Sequence, residues 1–376
     1  MKVVTAIDSF KGSMTSMEAG FAAAEGIHRV DADAEVQVRP LADGGEGTVE
    51  ALVAGMNGKT EHVKVTGPLG EPVICEYGII ESTKTAVIEM AGAAGITQVP
   101  DEKRNPLYTT TYGVGEVIKD SIEKGCRRFI VGIGGSATND GGVGMLEALG
   151  LADLDNNRNQ VVPGARGLKD ITEITDAYVI PELAECKFRV ACDVTNPLCG
   201  ELGCSAIYGP QKGATPEMIQ DMDQWLGAYA ELAKERFPKA DPKYPGTGAA
   251  GGMGFAFLTF TDAVLESGIN IVLDETKLED YIKDADLVIT GEGRMDGQTA
   301  MGKAPVGVEK LAKKYGKKVI AFAGAVQRDA RACNDAGIDA FFPILRGVVT
   351  LEDAMKNENA KQNLADTAEQ VIRLMK

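Results

Sequence analysis

The sequence is poor in histidine and lacks any paired-cysteine motif. Only His28 and His62 are present, and both lie in polar stretches outside the glycine-rich motifs, which disfavours a Ser-His-Asp triad or a multi-histidine metal site. The seven cysteines form no C-x-x-C pair, which argues against zinc binding and thioredoxin-like redox chemistry and favours reduced thiols. A catalytic base, if there is one, is therefore expected to be a carboxylate or a lysine.

Long apolar runs are also missing. No stretch reaches the ~20 residues that a membrane-spanning helix needs, and the first residues show no signal-peptide core. Asp and Glu number 55 against 39 Lys and Arg, giving a formal net charge of -16, and such an acidic surface repels nucleic acid and anionic membranes. We therefore expect a cytoplasmic protein with small-molecule partners, with no nucleic-acid or membrane partner, while a homo-oligomer stays open.

Both ends of the chain alternate between short apolar strands and helices. Strands are expected at residues 2–7, 35–39, 287–290, 318–323 and 340–344, with helices between them. This alternation is typical of a parallel sheet with helices on both faces. The sequence therefore predicts a flavodoxin-like α/β domain formed by residues 1–59 together with 285–376.

The middle of the chain has a different pattern. Strands at 61–65, 73–80 and 86–89 are separated by short turns, which predicts an antiparallel meander. Further strands and helices follow, including helices over 216–237 and 254–267. We therefore predict a second α/β domain over residues 60–284, inserted into the first.

The 45 glycines concentrate in four segments that also carry polar residues. A glycine run is entropically costly, so it is expected where the backbone turns tightly or approaches a ligand closely. Backbone N–H groups in such loops, next to helix starts, form anion cradles. The four segments are residues 42–48, 132–142, 245–254 and 291–297.

Two familiar nucleotide motifs are only approximately matched. Residues 132–137 and 246–251 resemble the G-x-G-x-x-G/A fingerprint, but the second follows a proline and the first runs into a polar triplet. Residues 297–304 resemble a Walker A loop, yet Ala304 stands where a Ser or Thr would hold Mg²⁺. The sequence thus favours neither a dinucleotide-binding fold nor a P-loop fold, although a phosphate cradle that uses Lys303 remains open.

Charged residues follow several of the predicted strands. Asp8, Ser9 and Lys11 come after the first strand, Asp43 comes after the second, and Asp193 follows a strand of the inserted domain. Ligands of open α/β sheets bind at the carboxyl ends of the strands. These residues are therefore candidates for one binding edge.

At these motifs the sequence resembles the glycerate kinase type I family. The resemblance rests on segments that occur in order along nearly the whole chain: DSFKGS (8–13), ADGGEGT (42–48), GIGGSATNDGGVGM (132–145), ACDVTNPLCG (191–200), YGPQKGA (208–214), PGTGAAGGMG (245–254) and TGEGRMDGQTAMGKAPVGV (290–308). It implies an ATP-dependent, Mg²⁺-requiring kinase that phosphorylates a hydroxyl of D-glycerate, usually at the 2-position. It also implies two α/β domains with the active site in the cleft between them.

Phosphoryl transfer depends on positioning and charge neutralisation, and the candidate residues are assigned accordingly. Asp193 is expected to be the catalytic base, with Asp140 second and Lys11 as a catalytic cation. The other candidates are Gly134, Gly135, Ser136, Thr138, Arg294 and Lys303 for the nucleotide, Asp8, Ser9, Lys11, Asp43 and Arg294 for the substrate, and Asp8, Asp43 and Asp296 for Mg²⁺.

Three alternatives remain open at this stage. The product could be 3-phosphoglycerate, because residue spacing does not reveal which hydroxyl reacts. The glycine-rich loops could serve an NAD(P)-dependent hydroxy-acid dehydrogenase. A two-domain protein of this kind could also bind a ligand without turning it over.

Overall fold

The computed structural model describes all residues from 1 to 376. The strands are β1 (Lys2–Ile7), β2 (Glu35–Pro40), β3 (Lys59–Thr66), β4 (Pro72–Ile80), β5 (Thr85–Glu89), β6 (Arg128–Gly132), β7 (Ala152–Leu154), β8 (Glu173–Thr175), β9 (Lys187–Ala191), β10 (Ala263–Glu266), β11 (Leu287–Met295), β12 (Lys318–Val326) and β13 (Ala340–Pro343).

The helices vary from single turns to more than five turns. In chain order they are α1 (Ser16–His28), α2 (Thr48–Gly55), α3 (Ala91–Ala94), α4 (Tyr112–Glu123), α5 (Val143–Ala148), α6 (Cys204–Tyr208), α7 (Pro216–Arg236), α8 (Met253–Phe260), α9 (Gly268–Glu275), α10 (Leu278–Ile282), α11 (Ala304–Lys313), α12 (Ala332–Ala336), α13 (Leu351–Met355) and α14 (Asn357–Met375). None of them combines the length and apolar character needed to cross a bilayer.

The chain divides into two compact units. Unit 1 contains residues 1–43, 50–56 and 269–376, and unit 2 contains residues 44–49 and 57–268. Unit 1 is thus assembled from both ends of the chain. The short segment 44–49 belongs to unit 2, although the chain on either side of it belongs to unit 1.

Unit 1 is built on a five-stranded parallel sheet in the order β13-β12-β11-β1-β2. Counted along the chain within this unit, the order is 2-1-3-4-5, which is the flavodoxin-like order. The predicted α/β class and flavodoxin-like sheet are confirmed. The topological switch point lies between β1 and β11, so a ligand site is expected at the carboxyl ends of these two strands.

Helices cover both faces of this sheet because its strands alternate apolar side chains between the faces. Ile320 and Phe322 on β12 pack into a core with α1 and α14. Their neighbours Ala321 and Ala323 face a second core that includes Val306 of α11. The sheet is therefore buried on both sides, and only its edges and strand ends can carry a site.

Strand β11 is longer than the sequence pattern predicted. It continues through Met295, whereas the sequence pattern ends the strand at residue 290 and predicts a loop over the glycines that follow. Gly291 lies opposite Phe322 in the sheet, and a Cβ on Gly291 would come within 2.1 Å of the Phe322 carbonyl oxygen. Here glycine permits close strand packing, so it marks a strand where the prediction placed a loop.

Unit 2 has a six-stranded mixed sheet in the order β10-β9-β6-β5-β4-β3. The pairs β3-β4 and β4-β5 are antiparallel, which confirms the predicted meander, and the remaining pairs are parallel. The predicted helix over 254–267 is wrong in its second half. Helix α8 ends at Phe260, and after the extended Thr261 the chain forms β10, which pairs with β9 at the edge of the sheet.

Candidate active site

Unit 1 contains a cavity of about 440 Å³ at the carboxyl ends of β1 and β11. This position is the topological switch point of the sheet, where open α/β folds bind their ligands. One side of the cavity is charged and is lined by Asp8, Lys11, Asp43, Glu292, Arg294 and Lys303. The other side is apolar and is lined by Phe10, Ile344, Leu345, Leu351, Ala354 and Met355.

Asp8 is the first residue after β1 and is almost fully buried. Its backbone N–H donates to the Gly291 carbonyl at 2.9 Å, which extends the strand pairing by one residue. Its carboxylate accepts a 2.7 Å hydrogen bond from the Ser9 N–H. Burial raises the pKa of Asp8 to about 7, and the negative charge of Asp43 adds to this effect. Asp8 therefore titrates near neutral pH and would ionise fully beside a cation.

Glu292 is a second buried carboxylate in the cavity. It lies on β11, and its Oε1 accepts a 2.5 Å hydrogen bond from Thr299 Oγ1. Burial raises the pKa of Glu292, whereas the Thr299 hydrogen bond and the positive charge of Lys303 act in the opposite direction. Glu292 and Arg294 are two positions apart on one strand, so their side chains project from the same face of the sheet.

Three cationic side chains line the cavity together with these carboxylates. Lys11 Nζ lies 4.0 Å from Asp43 Oδ2 and is half exposed. Arg294 Nε lies 3.5 Å from Asp296 Oδ2, and the Arg294 side chain is 65% exposed. Lys303 precedes α11 at its N-cap position. These long, loosely held cations are suited to contact the oxygens of an anionic ligand.

Asp296 is the first residue after β11, beside the cavity but not on its lining. Its Oδ1 accepts a 3.0 Å hydrogen bond from the Gln298 N–H, and its backbone N–H donates to Thr299 Oγ1 at 3.1 Å. The same threonine therefore contacts both Asp296 and Glu292. These contacts hold the turn between β11 and α11, from which Lys303 projects.

Unit 2 presents its own row of residues at the carboxyl edge of its sheet. Glu89, Gly132 and Ala191 end the parallel strands β5, β6 and β9 and stand in register with one another. Glu89 Oε1 accepts a 2.8 Å hydrogen bond from the Val49 N–H. Burial raises the pKa of Glu89, and the backbone N–H groups of Thr48 and its neighbours oppose that shift. Glu89 thus anchors the glycine-rich segment 44–49 to this edge.

The glycine loop after β6 is partly exposed and partly buried. Gly134 and Gly135 are exposed, whereas Ser136 is buried and Thr138 is fully enclosed. The buried Lys212 donates hydrogen bonds to Ser136 Oγ at 2.9 Å and to the Thr138 carbonyl at 2.6 Å. Burial lowers the pKa of Lys212 to about 8. Only the backbone of the first two glycines is open to a ligand here.

The two candidate bases have different surroundings in unit 2. Asp140 is fully buried, and its carboxylate accepts hydrogen bonds from the Thr111 N–H and Oγ1, both at 2.8 Å, and from the Gly142 N–H at 3.2 Å. Burial raises the pKa of Asp140, and the Thr111 hydrogen bonds lower it. Asp193 follows β9, is exposed, and accepts a 3.2 Å hydrogen bond from the Gly268 N–H. These contacts favour a positioning role for Asp140.

The structure brings together the predicted residues of unit 1 except Asp296, which does not line the cavity, and adds others that the sequence patterns did not single out. Asp8, Ser9, Lys11, Asp43, Arg294 and Lys303 line one cavity. Glu292, Glu89 and Lys212 were not among the candidates. The sequence does contain features that could have identified these three residues. Glu292 lies two residues before Arg294, Glu89 ends an apolar strand, and Lys212 lies in a glycine-containing motif.

Comparison with known proteins gives a consistent picture. A profile of the "Glycerate kinase family" matches residues 3–376. The chain is 50% identical over 375 residues to the glycerate kinase of Haemophilus influenzae, covering 100% of this chain and 99% of that protein. It is 47% identical over 372 residues to the glycerate 2-kinase of Escherichia coli, covering 98% of each.

A solved structure from Salmonella typhimurium LT2, described as a glycerate kinase 2, has a similar fold. It superposes with a TM-score of 0.92 at 46% sequence identity, covering 100% of this chain and 98% of that one. Similarity at this level extends over both units.

Proposed function

Because the chain belongs to the glycerate kinase family and is a kinase, we propose that it transfers the γ-phosphoryl group of ATP to a hydroxyl of D-glycerate. The proposed products are 2-phosphoglycerate and ADP. The relative described as a glycerate 2-kinase supports the position of transfer. The dehydrogenase and the non-catalytic binding protein are not compatible with membership of a kinase family.

The observation that carries the proposal is the charged side of the unit 1 cavity. Three carboxylates and three cations line it together at the switch point of a flavodoxin-like sheet. Phosphoryl transfer needs this combination because cations stabilise the oxygens of the transferring group while carboxylates hold a metal. Lys11, Arg294 and Lys303 would contact phosphate oxygens or the glycerate carboxylate.

The carboxylates of unit 1 fit a magnesium ion. Asp8 and Asp43 supply hard oxygen donors on the cavity, with Asp296 beside it, and burial has raised the pKa of Asp8 to about 7. No group of three or more His, Cys, Asp or Glu side chains is arranged to enclose a metal. Mg²⁺ is commonly held by one or two carboxylates, with phosphate oxygens and water as its other ligands. When bound, it would neutralise charge on the transferring phosphoryl group.

The exposed backbone of Gly134 and Gly135 in unit 2 is a further candidate for nucleotide contact. Free N–H groups in a glycine-rich loop are suited to phosphate oxygens. Ser136 and Thr138 would then support the loop rather than contact the nucleotide, because Lys212 holds their segment and Thr138 is fully enclosed. Their burial supports this reading of the loop.

Asp193 is our candidate for the group that accepts the proton of the reacting hydroxyl. An exposed carboxylate that follows a strand can reach a substrate, and a carboxylate base fits a chain without a histidine in its motifs. Asp140 is second, since its carboxylate is already surrounded by backbone and hydroxyl donors.

An ADP-release assay over a panel of small hydroxy acids tests the proposed function. We expect Mg²⁺-dependent ADP release with D-glycerate and far less with lactate, glycolate or L-glycerate. Coupling the product to enolase, which dehydrates 2-phosphoglycerate but not 3-phosphoglycerate, identifies the phosphorylated hydroxyl. ADP release without an enolase signal would assign 3-phosphoglycerate as the product. No ADP release with glycerate would refute the proposal.

A further inference from the structure

The apolar side of the unit 1 cavity has no role in the reaction described so far. Leu351, Ala354 and Met355 of α13 face it, together with Ile344 and Leu345 after β13. Leu351 and Met355 are exposed, although both are large apolar side chains. Glycerate carries oxygen on each of its three carbons, so it gains little from such a wall.

The size of the cavity points to a larger ligand. About 440 Å³ lies within the range of sites for cofactors and drug-sized molecules and exceeds the needs of a three-carbon acid. The apolar wall and the cations Lys11, Arg294 and Lys303 line the same cavity. A ligand that fills both sides must have a flat or apolar end and a polyanionic end.

We propose that the apolar wall formed by Ile344, Leu345, Leu351, Ala354 and Met355 binds the heteroaromatic base of the nucleoside triphosphate. The base is flat and poorly hydrated on its faces, so aliphatic side chains suit it, and the phosphates then extend toward the three cations. This inference rests on the proposed function, since it assumes that the phosphoryl donor is a nucleotide.

The wall is fixed to the loop that carries Lys11. Asn357, the first residue of α14, donates from Nδ2 to the Ser13 carbonyl at 2.8 Å and to Glu18 Oε2 at 3.0 Å. Met355 Cε lies only 3.2 Å from the position that a Cβ on Gly12 would occupy. The base wall and the phosphate-binding loop therefore form one packed assembly within unit 1.

Helix α13 itself is held in place at its start. Thr350 Oγ1 accepts a 3.1 Å hydrogen bond from the Asp353 N–H at the N-cap. Arg346 Nη1 pairs with Asp366 Oδ2 of α14 at 2.9 Å, which anchors the segment leading into the helix. A wall held in this way is pre-organised for a ligand, which lowers the entropic cost of binding.

Met355→Asn tests the wall because it removes the apolar side chain without adding a charge that would repel phosphate. Met375→Asn is the matched control, since Met375 ends α14 and is 39% exposed, against 37% for Met355. We expect Met355→Asn to raise KM for ATP by about 10-fold while KM for glycerate stays within about 2-fold. The control is expected to leave both constants unchanged.

Binding measurements separate the base from the phosphates. By calorimetry, wild-type protein with Mg²⁺ is expected to bind ADP at least about 10-fold more tightly than pyrophosphate, which lacks the base. Met355→Asn should weaken ADP binding and leave pyrophosphate binding unchanged. Ala354→Phe, which fills the same wall, provides a second variant if Met355→Asn fails to fold.

Two outcomes would overturn the inference while leaving the proposed function intact. One is active wild-type enzyme with equal affinity for ADP and pyrophosphate. The other is folded Met355→Asn and Ala354→Phe variants with an unchanged KM for ATP. Wild-type protein that never phosphorylates glycerate would instead refute the proposed function, and the comparison of ADP with pyrophosphate would still test the wall.

Discussion

Thr299 Oγ1 donates a 2.5 Å hydrogen bond to Glu292 Oε1, and both side chains are buried at the edge of the unit 1 cavity. The same hydroxyl oxygen accepts from the Asp296 N–H at 3.1 Å. One threonine therefore orients a carboxylate on β11 and fixes the turn that leads to Lys303. A hydrogen bond to a buried carboxylate is among the stronger neutral-to-charged contacts in proteins.

Thr299→Val is expected to lower kcat because it leaves Glu292 without its hydroxyl donor. We expect a loss of about 10-fold in kcat, together with a shift of the acid limb of the pH–rate profile to higher pH. The hydrogen bond from Thr299 stabilises the ionised carboxylate and so lowers the pKa of Glu292. Removing the hydroxyl therefore raises that pKa. Thr299→Ser keeps the hydroxyl and should restore most of the activity; equal loss in both variants would rule out the hydrogen bond as the cause.

Asp193→Asn and Asp140→Asn should separate catalysis from folding. Asp193→Asn is expected to cut kcat by ~100-fold or more with unchanged stability, because Asp193 is exposed. Asp140→Asn is expected to cost about 2–4 kcal/mol of unfolding free energy, since its buried carboxylate accepts three hydrogen bonds. Activity assays and denaturant titrations measure both effects. Near-normal turnover in Asp193→Asn would remove it as the base.

Lys11→Ala should weaken anion binding without affecting the fold. Lys11 is half exposed, and its nearest carboxylate oxygen, Asp43 Oδ2, is 4.0 Å away, so its contribution to stability is small. We expect KM to rise by about 10-fold or more for ATP or glycerate, with an unchanged melting temperature. A change confined to the melting temperature would mark Lys11 as a structural residue.

Asp153 on β7 is expected to make unit 2 less stable as pH rises. It is fully buried, and its two carboxylate oxygens have no hydrogen-bond partner within the protein. Burial, reinforced by the charge of Glu147, raises the pKa of Asp153 to about 8. The folded state therefore holds a proton that the unfolded chain releases near pH 4, so stability falls between about pH 4 and 8.

Asp153→Asn removes this dependence. Between about pH 5 and 8, the unfolding free energy of the variant should rise relative to that of the wild type by at most roughly 1.4 kcal/mol for each pH unit. Urea denaturation monitored by fluorescence of Trp225, the single tryptophan, reports on unit 2 directly because Trp225 lies on α7. Parallel stability curves for the two proteins would contradict this account.

Much of the fold could be predicted because its signals are local. The five strands of unit 1 are short apolar runs bounded by turns, and their alternation with helices predicted the parallel sheet. The continuation of β11 through Gly291 could not be predicted, because its cause is the approach of Phe322 on a neighbouring strand. The end of α8 was missed for a similar reason, since β10 depends on pairing with β9.

Site residues that directly follow a strand could be predicted from the sequence. Residues whose role depends on how deeply they are buried could not. Asp8, Lys11 and Asp43 follow β1 and β2 and do line one cavity. Glu292 was missed because its segment was interpreted as a loop, so the shared face with Arg294 was not apparent. The enclosure of Thr138 arises from packing within unit 2, which no local pattern encodes.

The most direct test of the proposed kinase site is a crystal structure with Mg²⁺, a non-hydrolysable ATP analogue and D-glycerate bound. We expect phosphate density within hydrogen-bond reach of at least two of Lys11, Arg294 and Lys303, and a metal ion coordinated by Asp8 or Asp43. A complex in which the triphosphate lies away from all three cations, with the unit 1 cavity holding only water, would contradict it.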